Sequence, residues 1–366
     1  MKIYIIGGGV TGLAAAAELA RFGEVIVLEA GSDIFQFTSG KSAGIARSYE
    51  AHPVLSKLAK QSLLNLFEIS KQYPTIFEPT GLYIKPLEYD YFSLHPFDEV
   101  AGYQQLIPAE KQYELADGSL FKGLFIPGNG ILNTIEVARY WRENCLAKNI
   151  KILTSTKLLE TRIKNRFIEE LVVQTGPYAD SFAIQKNDLL VFSNGSWAAD
   201  KAVLRTEWHP PVIPHKRHLY KLRPKSGQLP EKMPVIWDET TDCYFRKEEE
   251  CILATHADQT PTSVDDYTAD SNEYNTFSKN FYSVFPFARE FELVSERACL
   301  RTYSLDNLPV IGFDPYLKNL FWNVSWGGRG LSISFAAGRI LAQIFEQGWH
   351  SSESQTVNPF TPHRFI

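Results

Sequence analysis

A glycine motif near the start of the chain restricts how its N-terminal segment can fold. Residues 3–6, IYII, form a short apolar run that favours a β-strand, and Gly7, Gly9 and Gly12 follow in GxGxxG spacing. Small apolar residues then recur at helical spacing, and a second apolar run, EVIVLEA, contains Glu29. This order predicts a strand, a helix and a second strand, the βαβ unit that binds dinucleotides.

Each part of the motif has a physical role in holding a pyrophosphate. Gly7 permits the tight turn, Gly9 lets backbone N–H groups approach the anion, and Gly12 lets the helix pack on the sheet. The helix N-terminus favours the same anion. Glu29, about twenty residues after the motif, can accept hydrogen bonds from ribose hydroxyls. The alternative is a tight turn without a ligand. The candidate dinucleotide contacts here are Gly7, Gly9, Val10, Thr11, Gly12, Glu29 and Ala30.

Length, charge and cysteine usage limit the remaining choices. At 366 residues the chain exceeds what one hydrophobic core usually supports, so two packed units are expected. A net charge of -5 argues against nucleic acid as a partner. Four cysteines without zinc-type spacing favour a reducing cytoplasm and predict no metal site. The apolar C-terminal stretch is shorter than the roughly 20 residues of a spanning helix, so any membrane contact is expected to be peripheral.

The segment after Glu29 distinguishes FAD from NAD. Residues 38–49, TSGKSAGIARSY, are rich in small and hydroxyl side chains where a dehydrogenase normally continues with a crossover helix. Such a loop suits a backbone that passes closely along a long cofactor. It resembles the flavin-side loop of the FAD-dependent D-amino-acid oxidase family, which includes glycine oxidase, sarcosine oxidase and the D-amino-acid dehydrogenases. The matching positions are Ser39, Ser42, Ala43 and Gly44.

Further blocks resemble the same family in order along the chain. NIKILTSTKLLETRI resembles a return to the cofactor domain, and DLLVFSNGSWAADKA resembles a buried strand that ends beside FAD. TDCYFRKEEECILATHAD resembles a pair of substrate-domain strands. RACLRTYSLDNLPVIGFD, which contains Cys299 and Arg301, and FWNVSWGGRGLSISFAAGRILA resemble the closing blocks, and the resemblance implies that the turn and helix N-terminus of the latter lie near the flavin ring. The cofactor positions that these blocks imply are Leu158, Asn194, Gly195, Trp197, Cys299, Gly328, Arg329, Gly330, Leu331 and Ser332.

The resemblance implies an α/β fold, α+β overall. An FAD-binding Rossmann-like domain is expected from residues 1–82, 130–205 and 297–366, with a mainly antiparallel substrate-binding sheet inserted at 83–129 and 206–296. The polar residues 258–274 predict a long surface loop, although the tyrosines near it could still reach a site.

The resemblance also implies the chemistry: hydride transfer from a substrate Cα–H to flavin N5, giving an imine that hydrolyses to an oxo acid. Arg301 occupies the family position for binding the substrate carboxylate, which a guanidinium does bidentately. Tyr244 is expected to assist with its phenol, while Arg47 and Arg217 match arginines near the flavin or the pocket. A solvated charge, or plain aromatic packing for Tyr244, is the alternative in each case.

Several alternatives stay open at the level of sequence. Non-covalent FAD is expected, but Cys299 has the spacing of the cysteine that is joined to the flavin in sarcosine-type members. Sarcosine-type members of the family have an oxygen-activating lysine near the position of Ile252, so the resemblance favours a dehydrogenase or a slow oxidase here. The electron acceptor could be oxygen, a quinone or a dye-like carrier. Glu50 and Glu78 could select a basic substrate or face solvent.

Three functions are consistent with these residues. The first is oxidation of the CH–NH bond of a D-amino acid or an N-substituted glycine. The second is oxidation of a 2-hydroxy acid, because the same arginine and hydride geometry serve a CH–OH donor. The third is a flavin-fold binding protein without catalysis.

Overall fold

The computed structural model describes residues 1–50, 52–86, 106–350 and 358–366, and its N-terminal segment forms the predicted βαβ unit. Strand β1 (Lys2–Ile6) leads into helix α1 (Val10–Leu19), and β2 (Glu24–Leu28) returns parallel to β1. The helix lies close to the strand because Gly12 has no side chain: a Cβ there would be 2.0 Å from the Gly7 carbonyl oxygen. The prediction of a βαβ unit is confirmed.

The six-stranded sheet is assembled from distant parts of the chain. Its order is β20-β21-β13-β1-β2-β9, and all neighbours are parallel except β20, which runs antiparallel to β21. The added strands are β9 (Lys151–Leu153), β13 (Leu189–Phe192), β20 (Val310–Phe313) and β21 (Leu320–Val324). The carboxyl ends of β1, β2, β13 and β21 therefore meet at one edge, where ligands bind in parallel sheets.

This sheet is covered on both faces. One face packs against helices α1, α2 (Pro53–Ser70), α3 (Thr134–Ala147) and α5 (Gly330–His350) through a shared apolar core. The other face packs against an antiparallel sheet of β10 (Thr156–Lys164), β11 (Phe167–Thr175) and β12 (Tyr178–Ala183). Burial on both sides explains why its strands are almost continuously apolar. No helix in the described ranges is both long and apolar enough to cross a membrane.

A nine-stranded, mainly antiparallel sheet forms the second unit. Its first strands are β5 (Leu82–Lys85), β6 (Ala109–Glu114) and β7 (Leu120–Ile126). The rest are β14 (Val212–Pro224), β15 (Val235–Asp238), β16 (Cys243–Glu248), β17 (Cys251–Thr255), β18 (Thr260–Pro261) and β19 (Phe291–Ser304). Helix α4 (Glu273–Val284) covers one face with an aromatic core around Phe245, Phe277 and Phe281.

The strands of the second unit come from the two expected insertions, but two predicted boundaries fall inside strands. The boundary at 82/83 lies in β5, and that at 296/297 lies in β19. A separate small sheet has the order β3 (Ile45–Ala46), β8 (Gly130–Leu132) and β4 (Phe77–Glu78). In the chain, β4 precedes β5 and β8 follows β7. The division into two domains stays a prediction.

The long antiparallel pair of β14 and β19 places charged residues together. His215 lies opposite Arg301, and Arg217 lies opposite Cys299. Residues opposite each other, and those two positions apart, project from the same face of a sheet. Arg217, His215, Cys299, Arg301 and Tyr303 therefore share one face of the second sheet.

Candidate active site

A cavity of about 500 Å³ follows the edge where the parallel strands end. Its lining includes Gly7 after β1, Glu29 after β2, Asn194 after β13 and Ser325 after β21. The same cavity is also lined by Arg301, from the second sheet. One continuous space thus joins the dinucleotide motif to the expected substrate clamp.

Most of the predicted cofactor positions line this cavity, and five do not. The lining positions are Gly7, Gly9, Val10, Thr11, Glu29, Ala30, Ser39, Ser42, Leu158, Asn194, Gly195, Trp197, Cys299, Gly328, Gly330 and Leu331.

The five predicted positions outside the lining have structural contacts of their own. Gly12 packs on Gly7, and Ala43 packs in a cluster with Tyr244. The Gly44 carbonyl accepts the Leu132 N–H at 2.6 Å in the small sheet. The Ser332 hydroxyl donates to the Arg329 carbonyl within the helix start, and the Arg329 side chain binds Glu50. These residues support the cavity from behind its surface.

Glu29 has the environment that a ribose-binding carboxylate needs. It is 6% exposed, and its two oxygens accept the Gly8 and Gly31 N–H groups at 2.6 Å each. Burial raises the pKa of Glu29, against the lowering effect of these two backbone donors. Each oxygen keeps a lone pair for a hydroxyl group. The buried Asn194 Oδ1 beside the same cavity has no partner among the described residues, so it too can accept a ligand hydrogen bond.

Two aromatic side chains that pack with the predicted Trp197 at the cavity, Phe37 and Tyr267, were not among the predicted site residues. The Phe37 ring lies 4.7 Å from Trp197 and 5.6 Å from Tyr267, centroid to centroid. Tyr267 belongs to residues 258–274, where a surface loop was predicted, and it lines the cavity. The Lys41 Nζ lies 5.3 Å from the centroid of its ring. The sequence signal was the pair of tyrosines in that segment. Only the tertiary fold shows that Tyr267 reaches the cavity.

Arg301 is the guanidinium that faces the cavity. Its Nη2 donates to the Tyr244 hydroxyl at 3.2 Å, and Gly328 lies so close that a Cβ there would be 2.7 Å from Nη1. In the described part of the chain no carboxylate lies within ion-pair distance of it. Burial opposes its charge, but the phenols of Tyr244 and Tyr303 raise the pKa of Arg301. Its charge is therefore available to an anionic ligand.

Tyr244, Arg217 and Arg47 surround Arg301 but do not line the cavity. Tyr244 is 2% exposed and acts on the cavity through its hydrogen bond to Arg301. The Arg217 Nε donates to the Asp258 carbonyl at 2.6 Å, and burial together with the Arg301 charge lowers the pKa of Arg217. Arg47 lies 4.4 Å above the Trp237 ring.

Glu50 joins two of the arginines, which answers one question that the sequence left open. It is 2% exposed; Oε1 accepts Arg47 Nη2 at 2.7 Å, and Oε2 accepts Arg329 Nε at 2.8 Å. Burial lowers the pKa of Arg47, but the charges of Glu50 and Glu239 outweigh it and the pKa is raised. Glu50 therefore neutralises arginines rather than facing solvent, whereas Glu78 is exposed.

Cys299 and Ile252 occupy different environments. Cys299 is 3% exposed and lines the cavity; burial raises the pKa of its thiol, against the lowering effect of Arg301, Arg217 and Lys41. Ile252 is fully buried in the aromatic core of the second sheet and is absent from the cavity lining.

Comparisons with known proteins agree with this geometry. A family model described as DAO, FAD dependent oxidoreductase, matches residues 2–344. The chain belongs to this family. The resemblance inferred from the motifs is therefore confirmed.

Three curated relatives show how far the similarity extends. The regulatory subunit of mitochondrial pyruvate dehydrogenase phosphatase from Mus musculus is 22% identical over 96% of this chain and 42% of its own length. A D-amino acid dehydrogenase from Vibrio atlanticus is 23% identical over 62% of this chain and 51% of its own length. The monomeric sarcosine oxidase of a Bacillus species is 21% identical over 93% and 91%. The chain thus spans about half, or less, of the first two relatives.

Solved structures share the fold. L-proline dehydrogenase from P. horikoshii superposes with a TM-score of 0.82 at 19% identity, over 100% of this chain and 97% of the other. Glycine oxidase from Geobacillus kaustophilus gives 0.76 at 20% identity, over 100% and 98%. These likenesses confirm the predicted fold class.

Proposed function

We propose that this chain binds FAD in the cavity and oxidises the CH–NH bond of an amino acid, giving an imine that hydrolyses to the oxo acid. D-amino acids and N-substituted glycines are the first candidate substrates. The observation that carries the proposal is Arg301, a guanidinium without a carboxylate partner among the described residues, facing the cavity that the dinucleotide motif lines.

The residues present fit FAD. Gly7, Gly9 and the start of α1 would hold the pyrophosphate, and Glu29 would accept the ribose hydroxyls. The turn at Gly328 and the N-terminus of α5 would support the flavin ring with backbone N–H groups. FAD, when bound, supplies the hydride acceptor that no side chain of the chain can supply.

The side chains around Arg301 bind and orient the substrate. Two N–H groups of Arg301 would hold the substrate carboxylate bidentately, which sets the direction of the α-carbon. Tyr244 occupies Nη2 with its hydroxyl, and the backbone at Gly328 limits movement of the guanidinium. Because these groups are largely buried, their electrostatic interactions with the carboxylate are stronger than in water.

The names of the relatives support an amino acid as substrate. D-amino acid dehydrogenase, monomeric sarcosine oxidase, glycine oxidase and L-proline dehydrogenase are all named for amino acids, which carry a nitrogen and a carboxylate on one carbon. An arginine beside a hydride acceptor matches that pattern. Since the names include both D- and L-configurations, both belong in a substrate panel.

We propose that FAD is held without a covalent bond to Cys299. Thioether formation needs a thiolate, and burial raises the pKa of the Cys299 thiol. Acid precipitation of the purified protein separates the two cases: free flavin in the supernatant is expected, and a yellow pellet would contradict non-covalent binding.

A second candidate, a binding protein without catalysis, rests on one comparison. The relative that covers 96% of this chain is named a regulatory subunit. The two candidates differ in whether an amino acid reduces the bound flavin.

Anaerobic reduction of the flavin by a substrate panel tests the proposal. The panel contains D-amino acids, L-proline, sarcosine, glycine and 2-hydroxy acids, and flavin absorbance is followed without oxygen. Bleaching by at least one amino acid is expected. Bleaching by hydroxy acids alone would replace the proposal with the second enzyme alternative, and flavin that no compound reduces would favour the binding protein. Oxygen uptake compared with dye reduction then identifies the class of electron acceptor.

A further inference from the structure

Tyr303 lies two residues after Arg301 and on the same face of β19, yet it is not among the predicted site residues and has no role in the proposed mechanism. Its side chain is half-buried, and its ring lies 5.4 Å from the His215 ring at 77°. The two side chains project from the same face of β19 two positions apart, and the charge of the Arg301 guanidinium acts on the Tyr303 phenol. Arg301 therefore interacts with two phenols, that of Tyr244 and that of Tyr303.

The glycine turn before α5, residues 327–330, packs against Tyr303 and Arg301. Gly327 adopts φ +56°, and a Cβ there would lie 2.6 Å from the Tyr303 ring. A Cβ on Gly328 would lie 2.7 Å from Arg301 Nη1. The Gly327 N–H also donates to the Thr302 carbonyl at 2.9 Å. The turn that would support the flavin is thus packed directly on Tyr303 and Arg301.

We infer that Tyr303 is a positioning residue for the proposed substrate clamp, and that its phenolate competes with a substrate carboxylate for the Arg301 guanidinium. This inference rests on the proposed role of Arg301. The phenol fixes the guanidinium at neutral pH. Loss of its proton to solvent gives an anion beside Arg301, which then pairs with the guanidinium in place of the substrate.

The charges around Tyr303 favour this ionisation. Burial raises the pKa of Tyr303, but the positive charges of Arg301, Arg217 and Arg329 outweigh it, so the pKa lies below its ordinary value. Arg217 and His215 approach from β14, Arg329 from the glycine turn, and Tyr244 from β16 through Arg301. Asp242, before β16, lies within the electrostatic range of Arg217 and Arg301 and offsets part of their charge.

Because the pKa is lowered, the phenolate forms earlier in an alkaline titration than it does for an ordinary tyrosine. Substrate carboxylates should therefore lose affinity at a pH below 10.0, the ordinary tyrosine pKa, as the phenolate forms. A residue that only packed against the turn would give no such pH dependence. The pH profile of carboxylate binding thus distinguishes a positioning role from a structural one.

Acetate binding to the FAD-loaded protein tests the inference, with calorimetry and flavin absorbance as readouts. Tyr303→Phe keeps the ring contacts with Gly327 and His215 but removes the hydroxyl. At pH 7 it should weaken acetate about three- to tenfold, the order of magnitude of one lost polar contact that orients the guanidinium. It should also flatten the alkaline loss of affinity seen in the unchanged protein. Tyr178→Phe, at a tyrosine that is 74% exposed, is the matched control and should change neither quantity.

A second measurement needs no variant. Ultraviolet difference titration follows tyrosine ionisation in the unchanged protein, with and without saturating acetate. Because competition is reciprocal, acetate should shift the earliest tyrosine to higher pH. The same early step should be absent from Tyr303→Phe. An identical titration with and without acetate overturns the inference.

Failure of this inference and failure of the proposed function give different results. If Arg301→Ala leaves acetate affinity unchanged, the clamp itself is wrong. If Arg301→Ala weakens acetate but Tyr303→Phe changes neither the affinity nor its pH profile, the clamp stands and the role of Tyr303 is wrong.

Discussion

The two ends of the cavity hold charge in different ways. Around Glu29 the polar partners are backbone N–H groups of the same short segment, at Gly8 and Gly31. Around Arg301 the hydrogen-bond partner is the Tyr244 hydroxyl, and the neighbouring charges come from separate strands and turns: Arg217 repels it, while Glu50 pairs with Arg47 and Arg329. The nucleotide end therefore depends on space for a backbone, and the substrate end depends on a balance of buried charges.

This difference predicts different responses to substitution. At the nucleotide end, an added atom should displace the backbone and the cofactor together. At the substrate end, removal of one charge should leave another one buried and unpaired, although the volume hardly changes. The variants below test that contrast, from the largest expected effect to the smallest.

Glu50→Gln should destabilise the protein most. The amide keeps the shape but leaves Arg47 and Arg329 without their buried carboxylate, and breaking such a pair lowers the free energy of unfolding by about 3–5 kcal/mol. Urea unfolding measures the change. The control is Glu170→Gln, which breaks the surface pair with Arg162 and should alter stability by less than about 1 kcal/mol. Equal losses of stability in Glu50→Gln and Glu170→Gln would contradict the expectation that the buried pairs of Glu50 matter more than a surface pair.

Arg301→Ala should lower kcat/KM for amino acids about a hundredfold or more, mainly through KM, while the flavin stays bound. Loss of two charge-assisted hydrogen bonds, at about 1.5–3 kcal/mol each, gives this magnitude. Arg301→Lys should recover only part of the activity, because an ammonium cannot bind bidentately. Arg162→Ala, at an exposed arginine, is the control for loss of charge alone. Steady-state kinetics that did not change in Arg301→Ala would contradict the clamp.

The same contrast explains what the sequence could predict. The βαβ unit lies within residues 2–28, so its strand, glycine turn and helix could be inferred from neighbouring residues. The Glu50 bridge could not be inferred, because Arg329 is 279 positions away and no periodic pattern links the two. Likewise, residues 258–274 look like a surface loop from their polarity, and only packing against Phe37 brings Tyr267 to the cavity.

The boundary predicted at residue 297 shows a related limit. The block with Cys299 and Arg301 predicts a boundary at its first residue, but β19 starts at Phe291 and pairs with β14 without a break at that point. A strand can serve both units when its hydrogen bonds continue across the motif. A short sequence block therefore identifies the residues of a site better than it identifies the ends of the strand that carries them.

Gly12→Ala tests the nucleotide end by adding one methyl group. A Cβ there would lie 2.0 Å from the Gly7 carbonyl oxygen, so α1 or the turn must shift. We expect a loss of about 1–3 kcal/mol in the free energy of unfolding and a clear fall in bound flavin per protein. Gly118→Ala is the control: its Cβ meets nothing within 4 Å, but φ is +78°, so it should lower stability through backbone strain while the flavin stays bound. Flavin content that fell equally in both variants would argue against crowding as the cause.

The smallest expected effect concerns two buried carboxylates, Glu29 and Asp258. Their contributions to the free energy of unfolding should change with pH in opposite directions. Burial raises the pKa of Glu29 above its ordinary 4.5, because only backbone N–H groups oppose the loss of water. For Asp258, burial is outweighed by hydrogen bonds from His218 and by the charge of Arg217, so its pKa lies below the ordinary 3.8. A raised pKa means that the folded state holds the proton more tightly than the unfolded state, and a lowered pKa means the reverse.

The two signs give opposite pH profiles. The contribution of Glu29 to stability is fully present below pH 4.5 and falls as the pH rises through the raised pKa. That of Asp258 is present above pH 3.8 and is lost as the pH falls through the lowered pKa. Subtracting the urea-unfolding profiles of Glu29→Gln and Asp258→Asn from that of the unchanged protein isolates each contribution. Slopes of the same sign would contradict the difference between the two carboxylates, because burial outweighs the hydrogen bonds at Glu29, whereas the hydrogen bonds from His218 and the charge of Arg217 outweigh burial at Asp258.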